Sequence, residues 1–356
     1  APQAALIEVV NQFVFAGYTN ESVYGSSPDR WWCAALGDYT SWTTSVATQA
    51  ATGRLLASPG PLTGMRKYGD GIVIYKRRSL YLGVYVGPPV IWAFQQVPGE
   101  VGAQSHETVT NIGTEDNPRH IFMGPNDFYV FDGTKPQAIG TNRIKETVFN
   151  SLIDSRYYAC KSLHDKSNSL VYFWYPVADS AFPDHCVVYN YRADKWGVAD
   201  RQIQAALDYV AAGTTYNTLG DNYLTYADLP SQSYDQAFLA SSVRYPAIID
   251  TSNSLKTLTG ASNNSGITTG DIGDDSRSTT LQRVRLRFLT APSTATQTNY
   301  YRMNLGDALT TGAQTQISSG KFDVVRDARW HRLGYTFTGD WEATGILPEG
   351  VQSGSE

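Results

Sequence analysis

Proton-transfer chemistry near neutral pH falls first to histidine, and the chain has five: His106, His120, His164, His185 and His331. They share no local pattern, and neither a GxSxG nucleophile elbow nor an HExxH pair occurs. Glycoside hydrolysis needs two matched carboxylates, and no sequence feature singles out a pair. SPDRWW (27–32) and GDYTSW (37–42) keep pieces of the aspartate box of sialidase propellers without its order or spacing. GDIGDDS (270–276) gathers Asp271, Asp274 and Asp275, oxygen ligands of the kind Ca²⁺ prefers. It lacks the spacing and the closing Glu of an EF-hand and reads as a solvated polar loop. No catalytic residue, cofactor or metal is therefore assigned, and the chain is expected not to be an enzyme.

Two clusters remain. RWWCAALGDYTSW (30–42) places three tryptophans and a cysteine within thirteen positions. Arg30 to Leu36 reads as a strand, Gly37-Asp38 as a turn, and Trp42 as the start of the return strand. Trp32 and Trp42 are then expected to pack within or between sheets; both standing exposed on a concave face would instead favour sugar binding. In QRVRLRF (282–288) alternation sends Arg283, Arg285 and Arg287 to one face, toward phosphates or a partner's carboxylates. The formal net charge of −5 favours a protein partner over a nucleic acid.

The elements that position these residues are strands. With 42% hydrophobic and 17% charged residues, 31 Gly and 23 Tyr in 356 residues, the composition suits strands joined by turns. Runs such as GIVIYKRR (71–78), SLYLGVYV (79–86), DFYVFDG (127–133), SLVYFWYPV (169–177) and NYLTYADL (222–229) end in turn residues. IVIYK, LYLGVYV and LQRVRLRFL alternate with period two. One stretch, NRIKETVFNSLIDSRYYACKSL (142–163), has apolar residues spaced as on an amphipathic helix. No run reaches the roughly 20 apolar residues of a membrane span, and no secretory leader is expected. Cys33, Cys160 and Cys186 read as buried free thiols.

GDGIVIYKRRSLYLG (69–83) is echoed by MGPNDFYVFDGTKPQAIG (123–140) and, more loosely, by 169–197. This blade-like period predicts an all-β, β-propeller-like fold of about six degenerate blades of antiparallel strands, with at most one or two short helices. Blades are expected over 1–254. A flexible Gly/Ser/Asp loop is expected over 255–280, and strands over 281–346 that complete the propeller or form an adjoining platform. Residues 347–356 read as a frayed tail.

PGPLTGMRKYGDGIVIYKRRSLYLGVYVG (59–87), IFMGPNDFYVFDGTKPQAIG (121–140) and ARWHRLGYTFTGDWEATGI (328–346) resemble, in order, the tail hub or nozzle proteins of short-tailed bacteriophages. Trp31, Trp32, Trp42, Tyr129, Phe131, Trp330 and Trp341 form the aromatic signature of that resemblance. It implies a structural virion protein assembled in the host cytoplasm, a homo-oligomeric ring, expected to be a hexamer, below a portal or adaptor. The ring would seat fibre or plug proteins and let DNA pass without sequence-specific binding, with no membrane contact. The alternative is a carbohydrate-binding or polysaccharide-degrading β-propeller, suggested by the abundance of Tyr and Trp.

Overall fold

The computed structural model describes residues 1–178, 180–210, 244–260 and 264–355. It divides into two compact units, Ala1–Leu258 and Thr259–Glu356. The expected strand at 222–229 lies outside the described residues.

The first unit is a series of antiparallel meanders in which each strand pairs with the next in sequence. Sheet one holds β1 (Gln3–Val10), β2 (Phe13–Glu21), β3 (Gly25–Cys33) and β4 (Ala51–Arg54). Sheet two holds β5 (Leu62–Tyr68), β6 (Gly71–Lys76), β7 (Leu80–Gly87) and β8 (Ile91–Gln96). Sheet three holds β9 (Val109–Asn111), β10 (His120–Met123), β11 (Phe128–Phe131) and β12 (Gln137–Ala138). Sheet four holds β13 (Lys161–Asp165), β14 (Leu170–Tyr175), β15 (His185–Asn190) and β16 (Lys195–Ala199). The described part of sheet five holds β17 (Ala205–Val210), β18 (Arg244–Ile249) and β19 (Leu255–Thr257). The first strands β1, β5, β9, β13 and β17 lie side by side in that order. This is blade construction, with first strands inside and later strands stepping outward.

Alternation explains why the blades stack. On β6, Ile72 and Ile74 join Phe15, Trp31 and Trp92 in the core between sheets one and two. Val73 and Tyr75 point the other way, to Phe122 and Phe131 between sheets two and three. β14 repeats the device: Val171, Phe173 and Tyr175 pack with Ile121 and Phe128 of sheet three, while Trp174 packs with Ile248 of sheet five. Both faces of a blade are therefore apolar, and all six residues of β6 are buried. Each large side chain so buried contributes about 1.5–3 kcal/mol.

The DFYVFDG…IG pattern has a direct physical reading. Asp127 Oδ1 accepts from the Phe128 N–H at 2.7 Å and the Gly140 N–H at 3.0 Å, and Oδ2 accepts from the Thr141 hydroxyl. A methyl group at Gly140 would run into Asp127 Oδ1, so the clamp admits only glycine there. The sequence echoes mark hairpins within a blade. Residues 69–83 cover second and third strands of a blade, whereas 123–140 run on to the fourth.

The second unit is a two-sheet sandwich. One sheet contains β20 (Ser265–Thr268), β21 (Ile272–Gly273), β23 (Thr294–Arg302), β24 (Thr310–Gln316) and β26 (Trp330–Thr338). The other has the order β25 (Lys321–Ala328), β22 (Arg277–Thr290), β27 (Glu342–Ser355). Leu281, Val284, Leu286 and Phe322 face Ala295, Leu333, Tyr335 and Phe337 between them. Leu281 and Val284 share a face although three residues apart, because a register shift between Leu281 and Arg283 inserts one residue.

Three expectations differ from these observations. The 142–163 stretch is α1 (Lys145–Phe149), a 3₁₀ segment (Asp154–Ala159) and the start of β13. Its apolar residues fill the core between sheets three and four, and Ile153 is extended, so the helix cannot continue. The 255–280 segment holds β19, β20, β21 and the first residues of β22. Residues 347–355 pair with β22 rather than fray. These stretches are polar and largely exposed, so they carry no buried apolar alternation to read.

Candidate functional site

Chemistry could reside at two places in the first unit: the inner edge where first strands meet, and a groove on the first blade. At the inner edge, Arg66 on β5 approaches Glu8 Oε2 on β1 at 3.7 Å. It also donates to the carbonyls of His106 (3.2 Å) and Val109 (3.1 Å). Glu107 forms an ion pair with Lys161 of β13, and Ser162 donates to the Glu107 carbonyl at 2.7 Å. Burial raises the Glu8 carboxyl above its ordinary range, with Arg66 opposing the shift. Burial and the Arg66 charge lower His106 to about 4. These groups bind one another across blade boundaries and act first as ties between blades.

The groove has a volume of about 1010 Å³, at the upper end of the roughly 300–1,000 Å³ of small-molecule sites. Its walls come from the chain start (Pro2, Gln3), the β2–β3 turn (Asn20 to Val23), Trp32 on β3, and Thr40 to Thr43. Alternation along β3 divides its two tryptophans. Trp31 turns toward sheet two, 4.6 Å from the Phe94 ring and against Gly53, where a side chain would collide with the indole. Trp32 turns to the opposite side, with Tyr24 at 6.2 Å. Trp32 is 9% exposed, and its Nε1–H has no acceptor among the described residues.

Trp42 does not begin a return strand. It lies half-buried in an irregular segment, and the return strand is β4, starting at Ala51. Gly37 N–H donates to the Gln12 carbonyl (3.1 Å), Leu36 N–H to Thr48 (3.0 Å) and Ala35 N–H to Ser41 (2.9 Å). Those bonds hold the segment in place without periodic side chains. Asp38 Oδ1 accepts from the Thr40 hydroxyl (2.6 Å) and N–H (2.9 Å), and these bonds lower its carboxyl pKa. The Glu21 carboxylate accepts from the N–H groups of Val23 (2.8 Å) and Tyr24 (2.7 Å), fixing the other wall. The Trp42 indole makes no hydrogen bond or ring contact among the described residues. Trp32 is thus buried and Trp42 half-buried, and neither stands largely exposed.

The other signature residues do not converge on this site. Tyr129 stacks on Phe122 at 5.7 Å, and Phe131 is buried against Tyr68 at 5.3 Å, both within sheet three and its neighbour. In the second unit Trp330 donates to Asp275 (2.9 Å) and Trp341 to Ser265 (2.7 Å). Arg283 lies 3.8 Å from Asp323 and 3.6 Å from Glu349, while Arg285 and Arg287 are exposed. Asp271 is held by Arg302 (2.5 Å) and Arg332 (3.0 Å), which lower its pKa; Asp274 accepts from Ser276. The three aspartates thus face three different partners. All three cysteines are buried and free.

No family model matches the chain, and no curated protein does. Among solved structures, exo-β-1,3-galactanase from Phanerochaete chrysosporium with β-1,3-galactotriose aligns at TM-score 0.32 and 10% identity, covering 98% of this chain and 96% of that one. Its galactose complex aligns at 0.32 and 9%, with the same coverage. A glycoside hydrolase aligns at 0.30 and 10%, covering 96% and 97%. Overlap at this level carries no argument about activity.

The tail-hub reading is corrected here, together with the virion role and the expectation of no enzymatic activity. The three solved structures named above are glycoside hydrolases. The residues that carried the resemblance are also accounted for by architecture: GIVIY is a strand buried on both faces, and DFYVFDG…IG is the Asp127 clamp. Such residues report how a blade is built.

Proposed function

We propose that the chain is a carbohydrate-active β-propeller that seats a segment of polysaccharide in the groove beside Trp42. The observation that carries the reading is a half-buried indole, without a hydrogen bond or ring contact among the described residues, beside Asn20, Glu21, Ser22, Thr40 and Ser41. The apolar face of a pyranose packs on such a ring while its hydroxyls bond to a polar rim, the division of labour expected of a ligand site. Wall segments pinned by backbone hydrogen bonds reduce the ordering cost of binding.

Calorimetric titration with a panel of soluble polysaccharides tests the reading. Trp42→Ala is expected to weaken binding at least tenfold with an unchanged circular dichroism spectrum. Absence of any binding, or equal binding by the variant, overturns it.

A further inference from the structure

We propose that the outer face of the β25–β22–β27 sheet docks an extended acidic segment of a partner protein, held by Arg285, Arg287 and Lys321. The face belongs to the second unit, and the proposal is independent of the carbohydrate reading. Val284, Leu286 and Phe322 fill the sandwich core. Alternation therefore turns Arg283, Arg285 and Arg287 of β22, and Lys321 of β25, to the opposite side.

Strand register divides this row of cations. Arg283 stands between Asp323 and Glu349 and pairs with both. Arg285 instead stands between Lys321 and Leu347, and Arg287 stands beside Gly345. No side-chain hydrogen bond or ion pair reaches Arg285, Arg287 or Lys321 among the described residues. Like charges directly opposite on neighbouring strands repel, so the Arg285–Lys321 pair costs the fold stability. A local rule broken with no compensation inside the chain marks a functional position.

Two further features name the occupant. Leu289, Val325, Leu347 and Val351 are exposed on the same three strands. Apolar side chains beside arginines suit a protein interface, whereas a nucleic acid or an anionic glycan gains little from covering them. An extended chain also repeats every two residues, about 6.6–6.8 Å, the repeat that separates Arg285 from Arg287. Carboxylates at alternate positions of such a segment meet the two guanidiniums in register, each by a forked pair of N–H···O bonds. A second copy of this face fits poorly. Its carboxylates, Asp323 and Glu349, are already on Arg283, so the same unpaired cations would face one another.

The test uses a capped peptide that alternates Glu with Thr and carries Leu at both ends, beside the same peptide with Gln for every Glu. Binding to the full chain is followed by fluorescence anisotropy at low ionic strength. The Glu peptide is expected to bind roughly tenfold more tightly, as a few exposed ion pairs together supply. Arg285→Gln combined with Arg287→Gln is expected to shrink that preference below about twofold. Arg78→Gln combined with Arg192→Gln changes the net charge equally at exposed positions of the first unit, and should leave the preference intact. Should the β22 substitutions disturb the sheet, salt gives the same reading. In the unsubstituted protein about 0.5 M NaCl should reduce the preference below about threefold. Equal binding of the two peptides, or a preference that both double variants keep or lose alike, overturns the proposal. Tighter binding of a galacturonate oligomer of the same charge assigns the face to an anionic glycan and overturns it as well.

Discussion

His120 makes the stability of the first unit depend on pH in a calculable way. The ring is fully buried between sheets two and three: Nε2 lies 2.9 Å from the Lys67 carbonyl, and Nδ1 lies 2.7 Å from the Tyr75 hydroxyl. Nε2–H therefore donates to the carbonyl while Nδ1 accepts from Tyr75, the pattern of the neutral ring. Burial is the main cause that lowers its pKa from 6.5 to about 4; the Lys67 carbonyl opposes the shift and Arg66 reinforces it. The folded pKa lies below the unfolded one, so the unfolded chain binds more protons between about pH 6.5 and 4. Stability is full above that window and falls as pH drops through it.

The drop amounts to about 3 kcal/mol in all, of which about 2 kcal/mol is lost between pH 7 and pH 5. Urea denaturation at half-unit steps from pH 7 to 4, for the unsubstituted chain and His120→Gln, isolates the effect. The variant is less stable at pH 7, where its amide cannot reproduce both bonds, but its stability should fall less steeply toward pH 5. The difference between the two curves removes contributions from His106 and the carboxylates, which both proteins share. Parallel curves across the window would refute the assignment of a neutral, desolvated His120.

Three further outcomes follow from the packing. Asp127→Ala removes the acceptor for Phe128 N–H, Gly140 N–H and the Thr141 hydroxyl, and should cost about 3 kcal/mol by urea midpoint. Phe173→Ala, fully buried with its ring 4.9 Å from Phe128, should cost about 3–5 kcal/mol. Burial pushes the Cys33 thiol to about 11, Cys160 to about 12 and Cys186 higher still. Native protein at pH 8 should thus resist a thiol reagent, while denatured protein reacts at all three positions.

The blades were legible where strand alternation coincides with packing. LVYFWY sends successive residues to opposite faces, and both faces turn out to be core. What alternation could not reveal was that the second face is covered by a neighbouring blade, because that neighbour lies tens of residues away. The same distance hides the buried polar groups. Lys76 belongs to a basic run that reads as surface, yet its amine is buried and donates to the carbonyls of Leu55 (2.5 Å) and Ser58 (2.6 Å). Polar edge strands such as SGIT (265–268) give no signal because backbone pairing, not side-chain burial, holds them. The groove was half legible: the Trp-rich run drew attention, but Trp42's place depends on backbone bonds of the 34–50 segment that leave no trace in residue type.

The groove, and not the inner edge, is the stronger site. Trp196 donates to the Ile139 carbonyl at 3.2 Å and stacks on Tyr189, and Trp341 donates to Ser265 and packs on Phe337. Glu8, Arg66, Glu107 and Lys161 likewise neutralise one another across blades. Each such group is occupied by the fold, and a ligand reaching it must first displace a protein partner. Trp42 has no hydrogen bond or ring contact among the described residues, so removing its half-buried indole leaves no polar group of the fold without a partner. Its loss should therefore separate the two properties, lowering affinity at least tenfold while costing about 1–2 kcal/mol by urea midpoint, less than a fully buried indole. A large loss of stability in Trp42→Ala would place the indole among the framework residues, and the groove would lose its strongest claim to a ligand.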